Sequence, residues 1–238
     1  MIPKVLVGAP VCDLYEYCFD EFINNLKNLS YGNYDILLVD NSKEEHFYNK
    51  LRNLDIKAIR LPYNEKMRER VVLGHNTLRE YALKEDYDYL LVLDQDIIPS
   101  KDVIENLIKH NKDAVSALYF GHHVLSSGEN KPMPFAWTFI EKKDHWGRVG
   151  YLTEYEVESG ELIEIAFSGM GCVLLSRNAL EKVKFRYDLS IEAWDDRWLG
   201  YDLSLNGLKF YLDTSVICRH MYLKRPFNYH EIKKQGLV

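Results

Sequence analysis

Five short apolar runs divide the first 120 residues: "KVLVGAP" (4–10), "YDILLVD" (34–40), "IKAIRLP" (56–62), "YDYLLVLD" (87–94) and "DAVSALYF" (113–120). They are close to continuous in apolar residues rather than alternating, the pattern of strands covered on both faces. Stretches with helical spacing stand between them. Tyr15, Phe19, Phe22, Ile23 and Leu26 predict a helix within residues 15–29, and "RERVVLGHNTLREYALK" (68–84) predicts a second. Ser100 is placed to cap a third through "KDVIENLIKH", with Asp102 in its first turn. Strand alternating with helix predicts an α/β fold with a mostly parallel central sheet and helices on both faces. Ligands of such sheets bind beyond the carboxyl ends of the strands. Asp40, Asp94 and the Pro10–Asp13 turn all fall at such ends.

The pattern changes after about residue 120. "HHVLSSGENKPMP" reads as a loop, residues 135–166 carry mixed strand signals around "HWGRVG", and "FSGMGCVLLSR" reads as a glycine-punctuated turn and a buried strand. "DDRWLGYDLSLNG" reads as a helix stopped by Gly207, and "KFYLDTSVICRHM" as one or two strands. No internal repeat, low-complexity tract or linker interrupts the 238 residues. The expectation is one domain over 1–238. It divides into two functional halves, about 1–100 and about 101–222, with residues 223–238 as a tail or lid.

The net charge of −6 argues against a broad nucleic-acid-binding face. No apolar stretch reaches the roughly 20 residues of a membrane span, though peripheral contact with a membrane surface stays open. The start, "MIPKVLVGAP", reads as a first strand and lacks a signal-peptide pattern. Cys12, Cys18, Cys172 and Cys218 form neither a CxxC pair nor a metal-ligand spacing, and read as reduced thiols of a cytoplasmic protein.

"YLLVLDQD" ends on Asp94 and Asp96, one residue apart. Two carboxylates at the mouth of a sheet repel unless a positive group lies between them. Oxygen ligands suit Mg2+ or Mn2+, which commonly bridge to substrate phosphates. The alternative is a solvated turn with two helix-capping acids. Asp40 reads either as a turn residue before "NSKEE" or as an acceptor for a nucleobase or ribose. Asp195 and Asp196 open a helix, where acids also serve the helix dipole. His220 reads as a metal ligand or as a core histidine.

In order along the chain, "VLVGAP", "LLVDNS", "LLVLDQD", "SGMGCVLLSR", "DDRWLGYDLSLNG" and the late His220 resemble a GT-A-fold nucleotide-sugar glycosyltransferase, close to the broad family 2 group. The resemblance covers roughly residues 3–222. It implies that Asp40 contacts the nucleoside and that the DxD pair Asp94 and Asp96 holds nucleotide and metal. It also implies that His220 completes the metal shell and that Asp196, from the "EDRxL…G" form of the late motif, is the catalytic base. Four features depart from the family pattern. Asp195 replaces the usual Glu, "GAPVCD" replaces the usual opening, no QxxRW follows, and "HNTLREYAL" matches the family's "ARN" helix only loosely.

The implied activity is metal-dependent transfer of a sugar from a nucleoside-diphosphate sugar, UDP ahead of GDP, to a hydroxyl acceptor. Transfer is expected to be inverting, with Asp196 as base and Asp195 orienting the acceptor or capping the helix. The acceptor would be a glycan, a lipid-linked molecule or a small molecule. Pro10, Asp40 and Asp94 would bind donor, and Lys224 and Arg225 would close over the diphosphate or form a solvated basic tail. Two alternatives stand behind this reading: a sugar nucleotidyltransferase, and a non-catalytic sugar- or nucleotide-binding module.

Overall fold

The computed structural model describes residues 2–124, 130–188 and 193–226. The first half follows the expected alternation. β1 (Val5–Val11), α1 (Glu16–Leu26), β2 (Tyr34–Asp40), α2 (Glu45–Arg52), β3 (Lys57–Arg60), α3 (Met67–Lys84) and β4 (Tyr89–Leu93) build four parallel strands in the order β3-β2-β1-β4. A two-residue strand, β5 (Ile97–Ile98), and α4 (Val103–Ile108) lead into β6 (Ala114–Leu118). Ser100 does not cap α4. Residues 101–102 first make a turn in which the Val103 N–H donates to the Ser100 carbonyl, so the helix starts later than its capping pattern suggested.

The second half is richer in strands than its sequence indicated. β7 (Phe120–Val124) and β8 (Asn130–Pro134) pair with each other across the stretch read as a loop. They form a separate two-stranded ribbon whose prolines have no central ladder to interrupt. β9 (Ala136–Lys143), β10 (Trp146–Tyr151), α5 (Glu154–Glu158), β11 (Leu162–Ile165), β12 (Phe167–Ser168), β13 (Cys172–Ser176), α6 (Arg177–Lys182), α7 (Asp195–Leu205), β14 (Phe210–Ile217) and β15 (Arg219–His220) complete the described strands and α-helices. Among the described residues the main sheet has eight strands in the order β11-β14-β6-β13-β4-β1-β2-β3. β13 runs antiparallel between β4 and β6, and β11 antiparallel beside β14; the other strands share one direction.

Alternate side chains of β1 feed the two faces. Val5, Val7 and Ala9 pack with Phe19, Phe22 and Leu26 of α1 and Ile104 of α4. Leu6 packs on the other face with Leu78 of α3, Leu180 of α6 and Leu199 and Leu203 of α7. Burying each such side chain contributes about 1.5–3 kcal/mol. These two layers fix the strand ends from which the cleft is built. No helix among the described residues is long and apolar enough to cross a membrane.

Candidate active site

The turn after β4 is tied down from both sides. The Asp94 N–H donates to the Gly171 carbonyl beside β13, and the Ile97 N–H to the Asp94 carbonyl. Gln95, between the two acids, accepts from the Cys12 N–H at 2.8 Å and donates to the Tyr15 carbonyl at 3.1 Å, joining this turn to the one after β1. Asp94 remains partly open to the cleft, whereas Asp96 is 3% exposed. Burial and the Asp96 charge push Asp94 up to about 6. Burial opposes ionisation of Asp96 too, but the hydrogen bonds and charges of His220 and Arg225 more than offset it, so its net direction is down.

β15 pairs with β5 and carries His220 to the acid turn. The His220 Nδ1 lies 2.8 Å from the Phe120 carbonyl. A carbonyl only accepts, so this bond puts a proton on Nδ1 and turns Nε2 toward the acid turn. Nε2 lies 3.3 Å from Asp96 Oδ2 and 3.1 Å from an Arg225 nitrogen. Arg225 donates twice to Asp96 Oδ2, at 2.5 and 3.1 Å. Two carboxylates and an imidazole nitrogen are a donor set that fits Mn2+ or Mg2+. Among the described residues, however, no three His, Cys, Asp or Glu side chains stand as a preformed cage, and a guanidinium holds Asp96 instead.

The late acid pair opens α7. Trp194 is the N-cap residue and makes no side-chain cap, so Asp195 and Asp196 meet the helix N-terminus as first-turn acids. The glycine of "DDRWLG" has a steric reason. A Cβ on Gly200 would lie 2.3 Å from the Ala166 carbonyl oxygen and 2.7 Å from Phe167 Cβ, so only glycine lets α7 pack this closely on β12. Gly207, at φ +70°, ends the helix region as expected. Asp196 Oδ1 accepts from the Arg197 N–H at 2.6 Å. Burial, then the charge of Asp195, pushes Asp196 up to about 7. Asp195 does not cap the helix: its Oδ2 lies 2.6 Å from His75 Nδ1 on α3.

Asp94, Asp96, Asp195, Asp196 and His220 all line one cleft of about 900 Å³. Pro10, Asn41, Ser42, Lys43, Tyr63 and Arg70 line it too, and Arg225 with Tyr222 edges it from the chain's late segment. Two expectations need correction. Asp40 lies beneath the wall rather than on it. It is 0% exposed, and its Oδ1 accepts from the Ser42 N–H at 3.1 Å and hydroxyl at 2.6 Å, shaping the turn that presents residues 41–43. Lys224 faces away. It belongs to the 3₁₀ turn Met221–Lys224, whose successive side chains point about 120° apart. Its side chain is 62% exposed and lies 3.6 Å from Glu21 on α1. The tail beyond residue 226 lies outside the described residues.

His75, Gln95, Tyr119 and Arg70 escaped sequence reasoning. His75 and Asn76 fall in the helix that loosely matched the family's Ala-Arg-Asn segment, the one signal pointing to them. Asn76 clasps the Phe185 backbone, donating to its carbonyl at 2.8 Å and accepting from its N–H at 3.1 Å.

Comparison with known proteins agrees with this architecture. A family model described as glycosyl transferase family 2 matches residues 16–184. A search of curated protein sequences finds no match. Solved structures share the fold at low identity. GalNAc-T7 with UDP, GalNAc and Mn2+ superposes with a TM-score of 0.60 at 14% identity, covering 92% of this chain and 44% of that one. The mannosyltransferase PcManGT from Pyrobaculum calidifontis, with GDP-Man and Mn2+, gives 0.60 at 16% identity, covering 98% and 61%. S. aureus TarS 1-349 with UDP-GlcNAc gives 0.50 at 17%, covering 90% and 55%. This chain therefore spans 44%, 61% and 55% of those three proteins. It has the GT-A fold, and with the family model covering well over half its length, the chain belongs to glycosyl transferase family 2.

Proposed function

We propose that this protein is a metal-dependent glycosyltransferase that moves a sugar from a nucleoside-diphosphate sugar, UDP ahead of GDP, to a hydroxyl acceptor with inversion. The observation that carries the reading is the convergence of the two acid pairs, Asp94/Asp96 and Asp195/Asp196, on one cleft at the carboxyl ends of the parallel strands. Residues 41–43, Tyr63 and Arg70 offer hydrogen bonds, an aromatic face and positive charge at its nucleotide end. Asp94, Asp96 and His220 would hold Mn2+ or Mg2+, which when bound supplies positive charge for the departing diphosphate.

In a single displacement the acceptor oxygen bonds to the anomeric carbon as the bond from that carbon to the diphosphate oxygen breaks. The acceptor proton goes to Asp196, whose second oxygen is not engaged by the Arg197 N–H. A carboxyl pushed up to about 7 is a stronger base than an ordinary one and is still mostly ionised slightly above neutrality. Arg225, freed from Asp96, is the cation placed to cover the diphosphate.

The test is a panel of UDP- and GDP-sugars incubated with Mn2+, with and without acceptor hydroxyls, reading release of nucleoside diphosphate. Turnover abolished by chelator, restored by Mn2+ or Mg2+ and lost in Asp96→Asn supports the reading. Donor binding without any release would make the chain a binding module. Product carrying the donor's anomeric configuration would overturn inversion and the base role of Asp196.

A further inference from the structure

His75 lines the cleft, and the transfer reading leaves it without a task. It lies on α3, is 1% exposed, and meets Asp195 across 120 residues of sequence at 2.6 Å. The Phe185 ring lies 5.0 Å from it, and the Asn76 clasp holds that stretch of backbone in place. His75 Nε2 is buried and has no hydrogen-bond partner. Nε2 goes unpaired in either state, as a lone pair on a neutral ring or an N–H on a charged one. The nearby acids decide between them: the bond and charge of Asp195, with the charges of Asp94 and Asp196, favour the charged ring.

The acid pair itself poses the problem that His75 can solve. Two adjacent carboxylates withdrawn from water cannot both ionise at low cost without a counter-ion. Arg225 is paired with Asp96 instead. On the described residues, Asp195 has an imidazole and Asp196 has a backbone N–H. The two acids are thus unequal by construction, one fixed as an ion pair and one with an oxygen to spare.

We propose that His75 is a positioning residue of this active site: as an imidazolium it pins Asp195 as its fixed counter-ion, and so leaves Asp196 as the ionised carboxylate available to take the acceptor proton. The directions of titration agree. Burial works against a charged His75, but the charge and hydrogen bond of Asp195, with Asp94 and Asp196 behind them, outweigh it and raise its pKa. Conversely, His75 is among the groups that hold Asp196 down against burial and the charges of Asp195 and Asp94. Removing His75 should therefore raise the pH at which Asp196 becomes a base.

The idea rests on the transfer reading for its consequence, but its premise is testable without it. In metal-free wild-type protein, nitrogen NMR of the imidazoles, with His75 assigned by the signals lost in His75→Gln, should show His75 as an imidazolium at pH 7. The carboxyl carbon signal of Asp196, assigned with Asp196→Asn, should titrate about one pH unit higher in His75→Gln than in wild type. In the transfer assay, the acidic limb of kcat/KM should move up by the same amount. That corresponds to a loss of about 5–10-fold at pH 7, recovered near pH 9, with the donor KM little changed. A merely structural histidine would lower activity equally at every pH. A neutral His75 ring at pH 7, or an unmoved Asp196 midpoint, overturns the proposal. If wild type turns over no donor, the transfer reading fails, while the two NMR midpoints still decide the role of His75.

Discussion

Replacing Asp196 by asparagine should make the metal-free protein more stable above neutral pH while it abolishes transfer. The Asp196 carboxyl titrates at about 7 in the folded protein against 3.8 for the ordinary group. Between those values the folded state holds a proton that the unfolded chain has released, so stability falls as pH rises. The penalty is absent below about pH 4, grows to about pH 7 and is constant above it. Three units correspond to at most about 4 kcal/mol. The oxygen of the substituted amide can still accept from the Arg197 N–H, but its NH2 needs a partner, which returns about 1–3 kcal/mol of that gain. The net gain at pH 8 is then about 1–3 kcal/mol, a rise in Tm of roughly 2–10 °C for a chain of this size. Asp94 carries a penalty of the same sign in both proteins, so it does not by itself open a gap between them. The assay is thermal unfolding in EDTA from pH 4.5 to 8.5. The gap in Tm should open with pH and level off near 7. Parallel curves would refute the premise that Asp196 is held in a proton-retaining environment.

Three further outcomes follow from the geometry. Asp40→Ala should strip the Ser42 N–H and hydroxyl of their acceptor, cost about 1–3 kcal/mol in denaturant unfolding, and raise the donor KM through residues 41–43 with kcat nearly unchanged; wild-type stability would count against the turn-shaping role. Gly200→Ala should force α7 off the Ala166 carbonyl at a cost of about 1–3 kcal/mol and lower transfer while calorimetry still detects donor binding, and a silent substitution would show that α7 does not need the close approach. Arg225→Ala should leave Asp96 without its cation, lower Tm in EDTA, and tighten Mn2+ binding measured by electron paramagnetic resonance; unchanged Mn2+ affinity would mean that the two cations do not compete for Asp96.

The strands of the first half were readable because each is buried on both faces and therefore nearly continuous in apolar residues. Their parallel order followed from the helices between them. The β7/β8 ribbon was not readable, since glycine and proline mark a loop unless a partner strand is known. Asp40 and Asp94 look alike in sequence, each closing an apolar run, yet one turns under the cleft wall and the other stays partly open to the cleft. Only the direction of the side chain distinguishes them, and that depends on neighbouring strands. Asp195 and Asp196 were found as a pair, but their division of labour was hidden. It comes from His75, distant in sequence and embedded in a helix whose local pattern announces no partner. Lys224 and Arg225 were read together as basic residues, and a 3₁₀ turn sends them to different neighbours.

The antiparallel insertion of β13 between β4 and β6 also bears on how the chain is made. β4 pairs with β1 on one side, but its other edge has no partner until residues 172–176 exist. At ribosomal speeds the roughly 80 residues from Leu93 to Cys172 take about 4–16 s to emerge. Throughout that interval the "YLLVL" backbone is an open edge, apolar on both sides, of the kind that recruits foreign strands. The two acids at its end are thus followed by a nascent chain with a sticky border, and a fragment cut near residue 100 would keep that border permanently. Solubility of such fragments should improve sharply once the segment through Ser176 is included, making the closure of the sheet an event of biosynthesis as much as of architecture.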